Sequence, residues 1–560
     1  MSKLNKILND KSNKMKKTDW IIAIILCLIF GIFAFYKLGS NINPETYAYF
    51  NNNDTVNFEL NKVTYVSKMR YFMGSDIGDY SIYYSIDGDD YFYLTGIKRE
   101  YEFKWYDIYI DSDVKYLKIV SDSDNCYLGE IMLYDKDNNK INISSNDNGK
   151  KLIDESYTIP DEISYFNSTY FDEIYFARAA YDYVVGLPAS EWTHPPFAKL
   201  IQAIPIYLLG MNPFSYRLTG VICGMLLVLV MYYFAKLMFK NRIYAVFAGL
   251  LIVFDNFHLV QSRIGTSDSE LILFMVLSSL FMYKYLLLNK KDDFHLKVFY
   301  LSLSGLFFGL SICVKWTGFY LGLGICILFF IKLIKEIISD KKISKDNIKI
   351  ILSCILFYIL IPCSIYILCY FMFPNLELRT INNMSDLFAQ LKDMYQFHST
   401  LDASHPFSSK WYTWPIMYKP LWYDVNIFEN GLKSTIVVIG NPSIWWFGIA
   451  GFIYVVIDYI KNKKYNNLFL IIMILCLFLP YAFIGRVMFI YHYYPVIPFL
   501  ILGITMFIKY INEKVGRTWI MYAYLGVVIV LFFMFYPVTT GIPVSNEYIE
   551  SLKWFSSWIF

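Results

Sequence analysis

The sequence predicts an α-helical polytopic membrane protein with a β-rich domain inserted behind its first span. Three observations predict this. Hydrophobic residues make up 56% of the 560 residues and charged ones only 17%. Uncharged runs of about twenty residues recur, each long enough to cross a hydrocarbon core as a helix. The stretch 41–160 has no such run and shows instead short alternating segments rich in Tyr, Ile and Val, separated by Asp-Gly and Asp-Asn turns.

In chain order, residues 1–40 hold a lysine-rich tail and the first span, 20–36. No small-residue cleavage site follows, so the span reads as an anchor and not as a removed signal. The lysines ahead of it place the N-terminus in the cytoplasm. Residues 41–160 read as an antiparallel β-sandwich on an extracytoplasmic insert, with strands near 81–86, 101–110, 116–120 and 130–134. Residues 161–373 carry the first outer loop and the spans 216–239, 244–260, 271–288, 298–314, 319–334 and 350–373. Residues 374–435 form a long outer loop. Residues 436–560 hold the spans 436–460, 468–484, 493–508 and 519–536, eleven spans in all, and an outer tail. The lysine-rich turns at 236–242, 290–291, 335–349 and 461–464 all fall on one side, as the positive-inside rule requires.

Composition closes several other routes. A net charge of +3 is too small to argue for nucleic acid. Eight of the nine cysteines fall in apolar runs, where cysteine acts as a small hydrophobe, and Cys126 has no partner in the insert. Metal dependence stays open: five of the six histidines fall on the outer side, none at ligand spacing. There is no Walker-type glycine loop, kinase signature or serine nucleophile elbow.

Chemistry concentrates in 170–200, where Asp172 and Glu173 open an amphipathic helix that the Gly186-Leu187-Pro188 break ends. Adjacent helical residues do not share a face, so at most one of the two carboxylates meets a reacting group. These residues fit equally a solvated acidic helix start, where carboxylates suit the positive end of the dipole. The topology gathers Asp172, Glu173, His194, Arg217, Arg263, Asp268, Lys315, His405 and Arg486 on the outer side, with Trp411 among the aromatics. Charges at the rims of spans face a wet cavity or a partner. Arginine and lysine suit a phosphate, and a carboxylate suits removal of a hydroxyl proton. Together they fit transfer from a lipid-linked phosphate donor.

Several motifs stand in order: FDE (171–173), HPPFAKL (194–200), NPFSYRLTG (212–220), DNFHLVQSRIGTSDSE (255–270), VKWTG (314–318), HPFSSKWYTWP (405–415), IGNPSIWW (439–446) and YHYYPVIPF (491–499). They resemble the protein O-mannosyltransferase family of the glycosyltransferase C superfamily over nearly the whole chain outside the insert. The resemblance implies a membrane enzyme that moves a sugar, mannose foremost, from a polyprenyl-phosphate donor to Ser/Thr hydroxyls of exported proteins, with inversion. It implies Asp172 as the base with Glu173 beside it. Arg217, Lys315, Arg486 and Arg263 would be donor-phosphate ligands; His194, Asp268, His405 and Trp411 would belong to the acceptor or sugar pocket. It implies no nucleotide cofactor, and a plasma-membrane enzyme whose active site and C-terminus are extracytoplasmic. The insert departs from the family. Its YSIYYSIDGDDYFYL and YLKIVSDSDNCYLGEIMLYD segments resemble discoidin (F5/8 type C) domains, which implies a glycan or lipid-head partner, and they fit a structural spacer equally. The long outer loop is too short for the β-trefoil that eukaryotic members carry there. Two alternatives stand beside this reading: a related enzyme acting on a lipid or wall polymer, and a glycan-binding membrane scaffold without activity.

Overall fold

The structure, a computed structural model, describes residues 15–401 and 403–560. The tail at 1–14, expected in the cytoplasm, lies outside the described residues. The chain divides into two compact units. One takes the residues up to Tyr36, Leu187–Gln202 and Leu218–Phe560; the other takes Lys37–Gly186 and Ala203–Arg217.

Helix α1 (Lys17–Phe35) is the first candidate span. The second unit follows, with strands β1 (Ala48–Phe50), β2 (Thr55–Met73), β3 (Tyr80–Ser85), β4 (Phe92–Ile97), β5 (Lys104–Ser121), β6 (Cys126–Tyr134), β7 (Lys140–Ile141) and β8 (Ile143–Ser145). Hydrogen bonds join all eight into one antiparallel sheet, ordered β1-β6-β2-β5-β3-β4, with β7 on β6 and β8 on β2. The strands expected at 101–110 and 116–120 are parts of the single long β5, and β2 and β4 were not foreseen. Register shifts between Glu59 and Thr64 and between Val66 and Lys68 interrupt the β2–β5 ladder. Such bulges bend a strand and raise its twist. Phe58, Met69, Ile82, Leu117, Ile119, Ile131 and Leu133 fill the core.

Helix α2 (Glu173–Val185) belongs to this same unit. It ends where the sequence break predicts: Gly186 takes φ 78°, and its N–H returns to the Asp182 carbonyl. Left-handed backbone at this position is cheap only for glycine. Ala177 and Ala180 pack with Phe72 and Trp105 of the sheet and with Phe103 just before β5. The boundary drawn at residue 160 therefore moves: the acidic helix is built onto the β domain through that apolar cluster.

Next come α3 (Phe197–Leu209), α4 (Pro213–Phe239), α5 (Arg242–Val253), α6 (Asn256–Arg263), α7 (Asp268–Leu287), α8 (Phe294–Val314) and α9 (Gly318–Asp340). After α10 (Lys345–Ile355), a short π-turn leads into α11 (Ile361–Met372). The long loop holds α12 (Met384–Thr400) and a hairpin of β9 (Leu421–Ile427) and β10 (Lys433–Val438). The chain closes with α13 (Pro442–Asn462), α14 (Tyr465–Phe478), α15 (Ile497–Val515), α16 (Trp519–Thr540) and α17 (Asn546–Ser551).

Among the described residues nine helices are long and apolar enough to span a membrane, or ten if a bent pair counts as one. The sequence reading gave eleven. The span expected at 244–260 is that bent pair, α5 and α6, broken by 56°. The span expected at 319–334 lies within α9, whose later turns carry Lys332, Lys335, Glu336 and Asp340. A helix broken inside an apolar bundle must have its freed backbone groups satisfied by protein. Asn441 does this for Phe254, to whose carbonyl its Nδ2 donates (3.0 Å), and the same amide also donates to the Val528 carbonyl on α16 (2.8 Å). Asp255 accepts from the Asn441 N–H (2.9 Å) and from His258 N–H (3.2 Å), which caps α6.

Candidate active site

Each unit carries part of the chemistry foreseen. In the β-domain unit, Phe171 holds φ 48°, a left-handed conformation that costs a bulky residue about 1–2 kcal/mol. It turns the chain into Asp172, half-buried at the start of α2. Glu173 is fully buried. Its carboxylate accepts Nε (2.7 Å) and Nη2 (2.8 Å) of Arg217 and the Tyr170 N–H (3.1 Å). Arg217 is itself 0% exposed and also donates to the carbonyls of Leu38 (2.9 Å) and Ser168 (3.0 Å). The Tyr170 and Tyr216 rings stand 4.8 and 5.2 Å from the guanidinium.

A bidentate arginine thus holds the Glu173 carboxylate, and the hydrogen bonds of Arg217 go to Glu173 and to backbone carbonyls. A charge left in such a place without its partner costs several kcal/mol.

The helical unit holds a cavity of about 340 Å³. Its wall includes His194, Lys315, Trp316, Tyr320, His398, Arg486 and His492. Lys315 stands on the turn between α8 and α9. That turn presses so close to α8 that a Cβ on Gly318 would lie 2.8 Å from the Ile312 nitrogen. Lys315 Nζ donates to Asp268 Oδ1 at 3.0 Å. Arg486 Nη1 lies 3.0 Å from His398 Nδ1.

His194 is held from behind. Its Nδ1 lies 3.0 Å from Glu191 Oε1. Glu191 also takes an ion pair from the buried Lys199, which donates to the His194 carbonyl (3.1 Å) as well. Burial alone would push the Glu191 carboxyl up; Lys199 and His194 outweigh it and hold it below the usual carboxylate range. Burial pulls His194 below its ordinary value, with Lys315 and Lys199 adding to that and Glu191 opposing it. A carboxylate only accepts, so the His194 Nδ1–H is donated to Glu191.

Of the expected site residues, the structure brings His194, Lys315 and Arg486 to one cavity, with Asp268 paired to Lys315. Three others lie elsewhere. Arg263 Nη1 donates to the carbonyls of Ala34 (2.8 Å) and Tyr36 (2.7 Å), closing the C-terminal end of α1. Helix-end carbonyls need donors, and Arg263 supplies them here. His405 packs against Phe489 (5.0 Å) and takes the Phe407 N–H. Trp411 packs on Phe478 at 5.0 Å. Neither ring lines the cavity, where the acceptor pocket was expected. The sequence reading gave no site role to Glu191 or His398. Glu191 had a legible signal, three residues before His194 and eight before Lys199; His398 falls among the outer-side residues by topology, but nothing in the sequence gives it a role.

Comparison with known proteins bears on family and fold. A family model described as "Dolichyl-phosphate-mannose-protein mannosyltransferase" matches residues 201–375. A second, described as "C-terminal four TMM region of protein-O-mannosyltransferase", matches residues 383–558. The chain is 23% identical to a polyprenol-phosphate-mannose–protein mannosyltransferase of Mycolicibacterium smegmatis over 65% of this chain and 81% of that one. It is 22% identical to the protein of the same name from Mycobacterium tuberculosis, over 74% and 88%. Among solved structures, the S. cerevisiae protein O-mannosyltransferase Pmt1–Pmt2 complex bound to the sugar donor superposes with a TM-score of 0.62 and 14% identity. That match covers 70% of this chain and 89% of the yeast chain.

Proposed function

The chain belongs to the protein O-mannosyltransferase family, and from that premise we propose that it transfers mannose from a polyprenyl-phosphate donor to Ser or Thr hydroxyls of exported proteins. One observation carries the reading: Lys315, Arg486 and the oriented His194 line one cavity of the helical unit. Relatives named for polyprenol-phosphate-mannose supply the donor class. The lysine-rich turns support an orientation with the active site outside the cytoplasm, and the reading places the protein in the plasma membrane.

The acceptor oxygen attacks the sugar carbon from the face opposite the phosphate. The carbon–oxygen bond to phosphate breaks, its electron pair stays on the phosphate oxygen, and the hydroxyl proton goes to a carboxylate. Configuration inverts, and polyprenyl phosphate leaves with one more negative charge. Lys315 meets that charge as it develops, which lowers the barrier more than binding the intact donor would, while Arg486 holds the donor phosphate before and during the step. Asp172 is assigned as the base through its place in the motif, now that Glu173 is committed to Arg217.

The test is transfer from polyprenyl-phosphate mannose to a Ser/Thr peptide by purified protein. Asp172→Asn is expected to keep the wild-type thermal midpoint and to lower kcat about 100-fold or more. Unchanged kcat in a folded Asp172→Asn protein would refute the base assignment. Transfer to lipid and never to peptide would refute the acceptor class.

A further inference from the structure

We propose that His398 is a positioning residue: its Nδ1 lone pair fixes the Arg486 guanidinium in the cavity, in a tautomer set by the Thr193 carbonyl. The inference rests on the reading of this cavity as the donor-phosphate site. It goes beyond that reading by naming what holds the phosphate ligand in place.

The hydrogen-bond sense is dictated by the partners. A guanidinium only donates, so the His398 Nδ1 that lies 3.0 Å from Arg486 Nη1 must be unprotonated. A carbonyl only accepts, so the Nε2 that lies 2.8 Å from the Thr193 oxygen must carry the proton. Both contacts select the same neutral tautomer. A second proton would set N–H against N–H and cation against cation. Burial first, then His194 and Arg486, pulls the imidazole down to about 4, so the neutral form persists at working pH.

Arg486 needs such a hold. It sits on an irregular segment after Gly485, whose Cβ position meets nothing within 4 Å. A free arginine side chain carries about 2 kcal/mol of rotamer entropy, which a preformed anchor removes before the ligand arrives. His398 itself is braced by the rings of His194 (5.2 Å), Phe397 (5.4 Å) and Trp316 (6.1 Å). One side chain thereby ties α12 to the Thr193–His194 loop and to the Arg486 segment.

The experiment measures donor KM and kcat separately, with purified full-length protein, polyprenyl-phosphate mannose of defined chain length and a Ser/Thr peptide. Arg486→Ala is expected to raise donor KM about 10-fold or more. His398→Leu is expected to raise it about 5-fold with kcat within a factor of two, because only the anchor is lost. In the Arg486→Ala background the same His398 change is expected to add less than about 2-fold, since a residue acting through another has nothing left to position. His398→Asn, whose Oδ1 stands in the place of the imidazole Nδ1, is expected to keep near-wild-type KM. Should His398→Leu fail to fold, His398→Phe, which keeps a ring and offers no lone pair, takes its place.

An unchanged donor KM in His398→Leu or His398→Phe, or an equal effect with and without Arg486, overturns the inference and leaves the cavity reading standing. An unchanged donor KM in Arg486→Ala overturns the cavity reading and the inference together.

Discussion

Arg217 is wholly buried and gives hydrogen bonds to Glu173, Leu38 and Ser168 within its own unit. Arg486 is half-buried at a cavity wall and meets the neutral ring of His398. The side chain is the same; the difference lies in the partner. A carboxylate neutralises Arg217 and leaves it nothing to offer a ligand. An imidazole lone pair orients Arg486 and leaves its positive charge intact. Arginine is therefore placed for binding where a neutral acceptor holds it, and for stability where an anion does.

The largest effect expected from breaking this contrast lies at the buried pair. Glu173→Gln or Arg217→Ala strands one charge, which costs about 3–5 kcal/mol. Thermal unfolding in detergent is expected to show a midpoint lower by about ten degrees or more. Replacing both residues by methionine is expected to recover at least half of that loss, because the desolvation cost disappears with the charges. A double variant no more stable than the singles would mean that the pair does more than neutralise itself.

The next effect is functional and runs the other way. Arg486→Ala is expected to leave the thermal midpoint within about 2 °C, since a half-exposed side chain contributes little stability. Its donor KM is expected to rise as given above. A midpoint that falls as far as that of Arg217→Ala would erase the contrast.

The smallest effect sharpens the rule with a third carboxylate. Glu130 on β6 is buried, and its Oε2 accepts the Glu155 N–H at 3.1 Å rather than a cation. Burial pushes its carboxyl up from 4.5 to about 8, with Asp154 and Glu155 adding to the rise. The folded form therefore keeps a proton that the unfolded chain releases. Stability is present below pH 4.5 and is lost as pH rises through 8. Glu130→Gln imitates the protonated form. It is expected to raise the midpoint by a few degrees at pH 8.5 and to change little at pH 5, read in the same unfolding assay. An equal shift at both pH values would show that the carboxyl is not titrating there.

Much of this was legible along the chain, for local reasons. Apolar runs announced the spans, and Gly186 announced the end of α2. The inserted β domain was visible in the alternation of Tyr, Ile and Val. What failed was whatever depended on a distant partner. The run 244–260 is apolar enough to read as one span; the break at Asp255 exists because Asn441, 186 residues on, accepts the burden of the freed backbone. The long β2 carries too many polar residues to stand out, and only pairing with β5 and β6 makes it a strand. Glu173 and Arg217 were read as chemistry because charge types can be read from letters, while the 44 residues that separate them hide the contact.

The sequence by itself determined the membrane architecture, the position of the β insert and the family, because hydrophobic period, turn chemistry and ordered motifs are local properties of the chain. Only the tertiary structure decided which charges are spent and which remain for a ligand. A side chain's electrostatic role is set by burial and by the nearest partner. For Arg217 that partner is 44 residues away and for Arg486 it is 88. Folding alone creates those distances.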